Sequence, residues 1–263
     1  WIWAAVTARR IARTVPVDPG VPVICVGNLT AGGTGKTPVV RELLKRLRAR
    51  HIEAQGLSRG YGGSLEGPIQ VDPARHSAAE VGDEPLMLAA DAPIWIARDR
   101  AKGALAAAWA GAQALVMDDG HQNPSVKKSL SLVVVDGDPD LVAMFPGKPV
   151  LIARLAPTVL PPSGPQVGFA GVGKPWKVER SLQAAGCDLK DFAPFPDHMA
   201  YDPKTLRSLT DRAATFGAGL VTTEKDWARL PAEWRARITA WPVAAVFEDE
   251  AALEALLDRA LRP

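Results

Sequence analysis

Residues 30–38 read TAGGTGKTP, and those residue types at that spacing suit the holding of a phosphate group. A phosphate loop follows G-x-x-x-x-G-K-[ST]. Gly35, Lys36 and Thr37 supply its end, while Thr30 stands where the pattern opens on glycine. Gly32, Gly33, Thr34 and Gly35 form the cradle, because glycines let a backbone turn tightly and aim its N–H groups at one point. A helix starting there adds its positive end. Lys36 brings a mobile cation for β- and γ-phosphates, and Thr37 a hydroxyl for Mg²⁺. A turn without a ligand would account for the glycines, but not for Gly-Lys-Thr between a strand and a helix. The donors nearest a phosphate come from the later glycines, so Thr30 leaves the reading intact. Gly27 and Asn28 are expected to shape the entry to the loop.

Such a loop works with a carboxylate at the end of a hydrophobic strand, which holds Mg²⁺ or its water shell. VMDDG offers Asp118 and Asp119. Solvated turn acids are the plainer reading, and it loses weight in a chain that already carries the loop. VGDEP adds Asp83 and Glu84 at the start of a helical segment. Asp83 suits a helix cap, and the pair equally suits a base and a carboxylate near the metal. His198 lies in the loop FPDHMAY. Set across a cleft from a carboxylate, it would complete a pair that takes a proton from a hydroxyl. SRGYGG and ARDR place Arg59, Tyr61 and Arg100 beyond strand ends. Arginines there suit phosphate or sugar-phosphate recognition, with ordinary surface charge as the other reading.

The elements that must position these groups show in the hydrophobic pattern. PVICVGN, IEAQGLS, PIWIAR, AQALVMDDG and SLVVVDG read as strands, alternating with helical stretches at TPVVRELLKRLRAR, EPLMLAA and AKGALAAAWAGA. Strands separated by helices imply parallel pairing with right-handed crossovers, and ligands gather at the carboxyl ends of such strands. The glycine loop and the acid pair both fall there. RLAPTVLPPSGPQ is proline-rich and reads as a linker. Beyond it a second alternating series runs through QVGFAGVG, PWKVERSLQAAG, AGLVTT and WPVAAVF to a closing helix, EDEAALEALLDRAL. The expected architecture is α/β: a P-loop NTPase-type parallel sheet with helices on both faces over residues 1–155, a linker at 156–166, and a smaller α/β domain over 167–263 that carries His198.

The 263 residues, 47% of them hydrophobic, suffice for one large core or two modest ones. A net charge of +2, from 31 basic and 29 acidic residues, makes this no general polyanion binder, so nucleic acid is not implied. Cys25 and Cys187 lie far apart without a partner motif, so no disulfide framework or zinc site follows, and a reducing compartment fits best. No apolar run reaches 18 residues, so no transmembrane helix is visible. The chain opens on Trp1 rather than methionine, and further residues are expected ahead of it. WIWAAVTARRIAR sets two Trp beside Arg9, Arg10 and Arg13. That suits a membrane-proximal helix, or an ordinary first helix with a basic edge.

Taken in order, VPVICVGNLTAGGTGKTP, GLSRGYGG, VGDEPLMLA, MDDGHQN, VVVDG, GFAGVGKP, FPDHMAY and LVTTEKDWARL resemble the tetraacyldisaccharide 4'-kinase (lipid A 4'-kinase) family over about residues 21 to 230. Thr at position 30 is the family's own form of the loop. The resemblance implies ATP, Mg²⁺ and phosphorylation of the 4'-hydroxyl of a lipid-linked disaccharide 1-phosphate by a protein attached peripherally to the cytoplasmic face of the bacterial inner membrane; the chain is expected to act as a monomer. It implies phosphate and metal contacts for Lys36 and Thr37, and Mg²⁺ contacts for Asp118 and Asp119 with help from Glu84. Asp83 matches the catalytic carboxylate and His198 its histidine partner. Arg59, Tyr61, Arg100, His121, Gln122 and Asn123 match positions near the acceptor. Two departures stand out. Asn123 replaces a histidine common in the family, and roughly thirty residues expected after VVVDG, judged by ordinary loop and helix lengths, are missing beyond Gly137.

Two other readings compete. A P-loop switch or metallochaperone-type NTPase often carries a lysine before the two glycines, where this chain has Ala31, and TTEKD does not fit the spacing of a guanine-reading motif. A degenerate binding protein is expected to have lost Lys36, Asp83 or His198, and all three are present.

Overall fold

Five hydrophobic runs become parallel neighbours in a computed structural model that describes residue 9 and residues 11–30 and 33–262. The N-terminal segment read as membrane-proximal falls mostly outside the described residues, as does Gly32. Strands β1 (Val23–Gly27), β2 (Ala54–Ser58), β3 (Ile69–Gln70), β4 (Ile94–Ile96), β5 (Ala114–Asp118) and β6 (Leu130–Val133) form one sheet in the order β3-β4-β2-β5-β1-β6. Its β1, β2, β4, β5 and β6 pairings are parallel, and the short β3 is antiparallel to β4. The carboxyl ends of β1, β2, β4 and β5 therefore share one edge.

The period of two along each strand explains the layers. Ile24, Val26, Ala54 and Val116 join a core with Val40, Leu43 and Leu47 of the helix Lys36–Ala49. The intervening Val23, Cys25, Leu57, Leu115 and Met117 join a second core with Ala104 and Ala107 of the helix Arg100–Trp109. Helices thus cover both faces, and the strands read as unbroken apolar runs for that reason. Burying each of these Val, Leu and Ile side chains contributes about 1.5–3 kcal/mol. Burial pushes the Cys25 thiol up to about 11, as befits a packing residue.

The chain divides into two units, one running to Leu155 and resuming at Ala245, the other Ala156–Ala244. In the second, β8 (Gln166–Ala170), β9 (Leu189–Pro194), β10 (Gly219–Thr223) and β11 (Ile238–Trp241) form a parallel sheet ordered β11-β10-β8-β9. The ribbon of β7 (Ala153–Pro157) with β12 (Val243–Phe247) carries the chain out of the first unit and back. The expected linker therefore shrinks to the stretch between Pro157 and Gln166.

The sequence pattern extends the second domain to the chain's end, whereas the last strand and helix pack with the first unit. Phe247, Leu253 and Leu257 share a core with Leu43 and Leu47. Arg46 pairs with Glu42, Glu250 and Glu254 and stacks over Phe247, while Arg50 pairs with Glu254 and Asp258. This packing joins residues 208 apart in sequence, such as Arg46 and Glu254, so no local pattern announces it.

Candidate active site

The helix Lys36–Ala49 opens on Gly35 in a left-handed conformation (φ 85°), with no side-chain cap and no acid in its first turn. Its first N–H groups are thus left for an anion. Asn28 ties down the approach. Its amide donates to the Thr30 carbonyl, and to Thr34 Oγ1 at 3.3 Å. Gln122 Nε2 in turn donates to the Asn28 carbonyl at 2.7 Å, linking the loop after β5 to the phosphate loop. Gly27 is obligatory, since a Cβ there would lie 2.4 Å from His121 Cβ.

At the end of β5, Asp118 is buried and Asp119 is exposed. Lys36 Nζ stands 3.7 Å from Asp119 Oδ1. Burial raises the Asp118 pKa to about 7, and the neighbouring Glu84 and Asp119 charges push the same way; Lys36 and Arg100 oppose them. One buried oxygen, Asp118 Oδ1, has no hydrogen-bond partner. Two further carboxylates, Glu84 and Asp119, acting on an unsatisfied buried Asp118 oxygen fit a divalent cation, which would lower the repulsion and satisfy that atom. Arg100, expected beside an acceptor, is buried. Its guanidinium donates to the Ala97 carbonyl at 2.8 Å and the Asp118 carbonyl at 3.4 Å, and burial pushes its pKa down to about 10. It sits behind Asp118 as a fixed positive charge.

Asp83 begins the helix Asp83–Leu88, is buried, and accepts from the Glu84 N–H at 3.0 Å. The turn holding it is built by close backbone approach. Gly82 has φ 92°, and a Cβ there would meet the Tyr61 carbonyl oxygen at 2.6 Å. The glycines of SRGYGG thus pack against VGD, which brings exposed Arg59 and Tyr61 to the same region as Asp83. Gln122 and Asn123 are half-buried, and Asn123 Oδ1 accepts from the Ser125 N–H and hydroxyl. Burial lowers the pKa of His121.

Sequence reasoning missed Lys128. Its half-buried ammonium donates to the carbonyls of His121 (3.0 Å) and Asn123 (2.6 Å), and so fixes the loop after Asp119. In the sequence it is one of two adjacent lysines, and nothing marks which turns inward.

In the second unit, His198 is exposed with φ 59°. It follows Asp197, whose Oδ1 accepts its N–H at 3.0 Å, and its Nε2 lies 3.4 Å from Lys225 Nζ.

A family model described as "Tetraacyldisaccharide-1-P 4'-kinase" matches residues 1–145 and 149–262. The chain belongs to the tetraacyldisaccharide 4'-kinase family. Among the kinases it resembles, that of Phenylobacterium zucineum is 58% identical, covering 98% of this chain and 90% of the relative. That of Rhodospirillum centenum is 48% identical over 97% and 88%. The first alignment spans 302 residues against 263 here, so at least 39 of its positions face no residue of this chain. A solved structure, LpxK from Aquifex aeolicus in complex with ATP, has the same fold, with a TM-score of 0.74 at 22% identity over 99% of this chain and 94% of that one.

Proposed function

We propose that this family member transfers the γ-phosphate of ATP to the 4'-hydroxyl of a tetraacyldisaccharide 1-phosphate, a step of lipid A biosynthesis. The observation that carries the residue assignment is the unpartnered, buried Asp118 oxygen beside the ion-paired Lys36, at the mouth of a glycine loop, in a chain of this family. In this reading the N–H groups from Gly32 to Gly35 and the Lys36 ammonium hold the β- and γ-phosphates. Thr37, Asp118 and Asp119, with Glu84, would hold Mg²⁺, which when bound neutralises charge on the phosphate oxygens. Arg100 holds the backbone at Asp118, and Lys128 holds the loop after Asp119.

Asp83 accepts the proton of the acceptor hydroxyl as its oxygen bonds to the γ-phosphorus and the bond to the ADP oxygen breaks. His198, on the second unit, shares in that proton transfer. Arg59 and Tyr61 face the acceptor, as do His121, Gln122 and Asn123 in the loop after β5.

Among the described residues no helix is long and apolar enough to cross a membrane. Because the acceptor's acyl chains keep it in a bilayer, the reading sets the protein peripherally on the cytoplasmic face of the inner membrane. One chain supplies every residue invoked, so the working form we infer is a monomer. A switch-type NTPase is not favoured: the chain belongs to a kinase family and lacks the guanine-reading spacing. The test is mass spectrometry of the acceptor after incubation with Mg·ATP. The reading expects one added phosphate, on the sugar at O4', and an acceptor returned unchanged contradicts it.

A further inference from the structure

The second unit keeps one carboxylate wholly out of water, and three of its partners, Gly171, Tyr201 and Arg229, lead to the loop that bears His198. Asp226 has no exposed surface. Its Oδ1 accepts from the Gly171 N–H at 2.9 Å and from the Tyr201 hydroxyl at 2.7 Å, and its Oδ2 from Thr223 Oγ1 at 2.6 Å. Arg229, nearly as buried, pairs with it at 3.0 Å. The same guanidinium donates to the carbonyls of Gly171 (2.9 Å) and Met199 (3.2 Å). Burial and the Asp226 charge drive the Tyr201 pKa far up, so that hydroxyl remains a donor.

A buried ion pair is a poor source of stability, since the desolvation of both charges offsets their attraction. Apolar residues of the same volume would serve a core as well, so what this pair adds is position. Its contacts converge on a turn of four residues closed by the Met199 N–H to the Pro196 carbonyl (3.2 Å), with His198 left-handed at its third position. For a residue with a Cβ that conformation costs of order 1 kcal/mol and persists only where its surroundings impose it. Arg229 grips the turn at Met199, and Tyr201 anchors its far side in an edge-to-face cluster with Phe169 and Phe195. Gly171 completes the seat, because a Cβ there would meet the Pro196 carbonyl oxygen and the Tyr201 hydroxyl, both at 2.9 Å.

We propose that Asp226, Tyr201 and Arg229 are positioning residues for His198: the buried pair and its tyrosine hold the Pro196–Met199 turn so that the imidazole is presented in one orientation. This rests on the role given to His198 above. The triad touches no reacting group and acts on the rate only through that histidine.

Tyr201→Phe removes one hydrogen bond and keeps the ring in its aromatic cluster; Asp226→Asn keeps the shape and removes the charge. Each is measured for phosphate transfer alone and combined with His198→Ala. The proposal expects Tyr201→Phe to lower kcat about tenfold at unchanged KM for Mg·ATP, the scale of one lost buried hydrogen bond. It expects the same substitution to change kcat less than about twofold once His198 is Ala, the signature of residues acting as a unit. Equal losses in both backgrounds, or a folded Tyr201→Phe enzyme of full kcat, overturn it. If Asp226→Asn fails to fold, the Tyr201→Phe cycle still decides. A His198→Ala enzyme of wild-type kcat refutes the role of His198 itself, and the positioning claim with it.

Discussion

Lys36 and Asp119 form an ion pair between the start of the phosphate-loop helix and the end of β5, at 3.7 Å. Asp119 is mostly exposed, so the pair is worth no more than about 1 kcal/mol to the fold. The lysine matters for the charge it brings to a phosphate. Lys36→Ala is therefore expected to leave the melting temperature nearly unchanged while lowering kcat by at least about 100-fold. Thermal unfolding and turnover on one preparation check both halves.

Asp83→Ala is expected to remove most turnover with nucleotide affinity retained, because the carboxylate is assigned to the acceptor's proton. Titration with a fluorescent ATP analogue separates the two effects. Arg75→Ala, at a side chain 83% exposed, serves as an inert control. Near-normal turnover in the Asp83 variant removes it from the proposed role.

The site's response to pH follows from Asp118. Its folded pKa, about 7, lies above the ordinary 3.8. This group's contribution to metal-free stability is therefore full below pH 3.8 and is lost as pH rises through about 7. A cation takes the place of the proton, so Mg²⁺ must compete with it at low pH. Thermal shifts caused by Mg²⁺ are expected to be larger at about pH 8 than at about pH 6. Asp118→Asn should flatten that difference.

Gly82→Ala should be costly out of proportion to one methyl group. The positive φ and the 2.6 Å approach to the Tyr61 carbonyl leave no room for a Cβ, and relief requires moving the turn that presents Asp83. A destabilisation of about 1–3 kcal/mol, with a further drop in kcat, is expected by denaturant titration and assay.

Arg46 is one of several basic residues in TPVVRELLKRLRAR, with nothing local to set it apart, yet it joins three carboxylates and the Phe247 ring. Arg46→Ala should cost about 1–2 kcal/mol by loosening the C-terminal helix, with kcat unaffected below the melting range.

That contrast marks how far the sequence was legible. The P-loop sheet showed through because its strands are buried on both faces, which makes Val23–Gly27 and Ala114–Asp118 continuous apolar runs. Their carboxyl ends then placed Lys36 and Asp118 on one edge. β9 escaped because it lies at a sheet edge and carries Lys190 and Asp191. The return of residues 245–263 to the first unit, the burial of Arg100 and the inward turn of Lys128 are all long-range outcomes. Each depends on what folds over the residue, which no local pattern contains.

The most direct test of the account is transfer of labelled γ-phosphate from Mg·ATP to a tetraacyldisaccharide 1-phosphate in detergent micelles, with an acceptor-free control. Label in the lipid, with little phosphate release in the absence of acceptor, is the expected result. Equal phosphate release with and without acceptor, and none in the lipid, would contradict it.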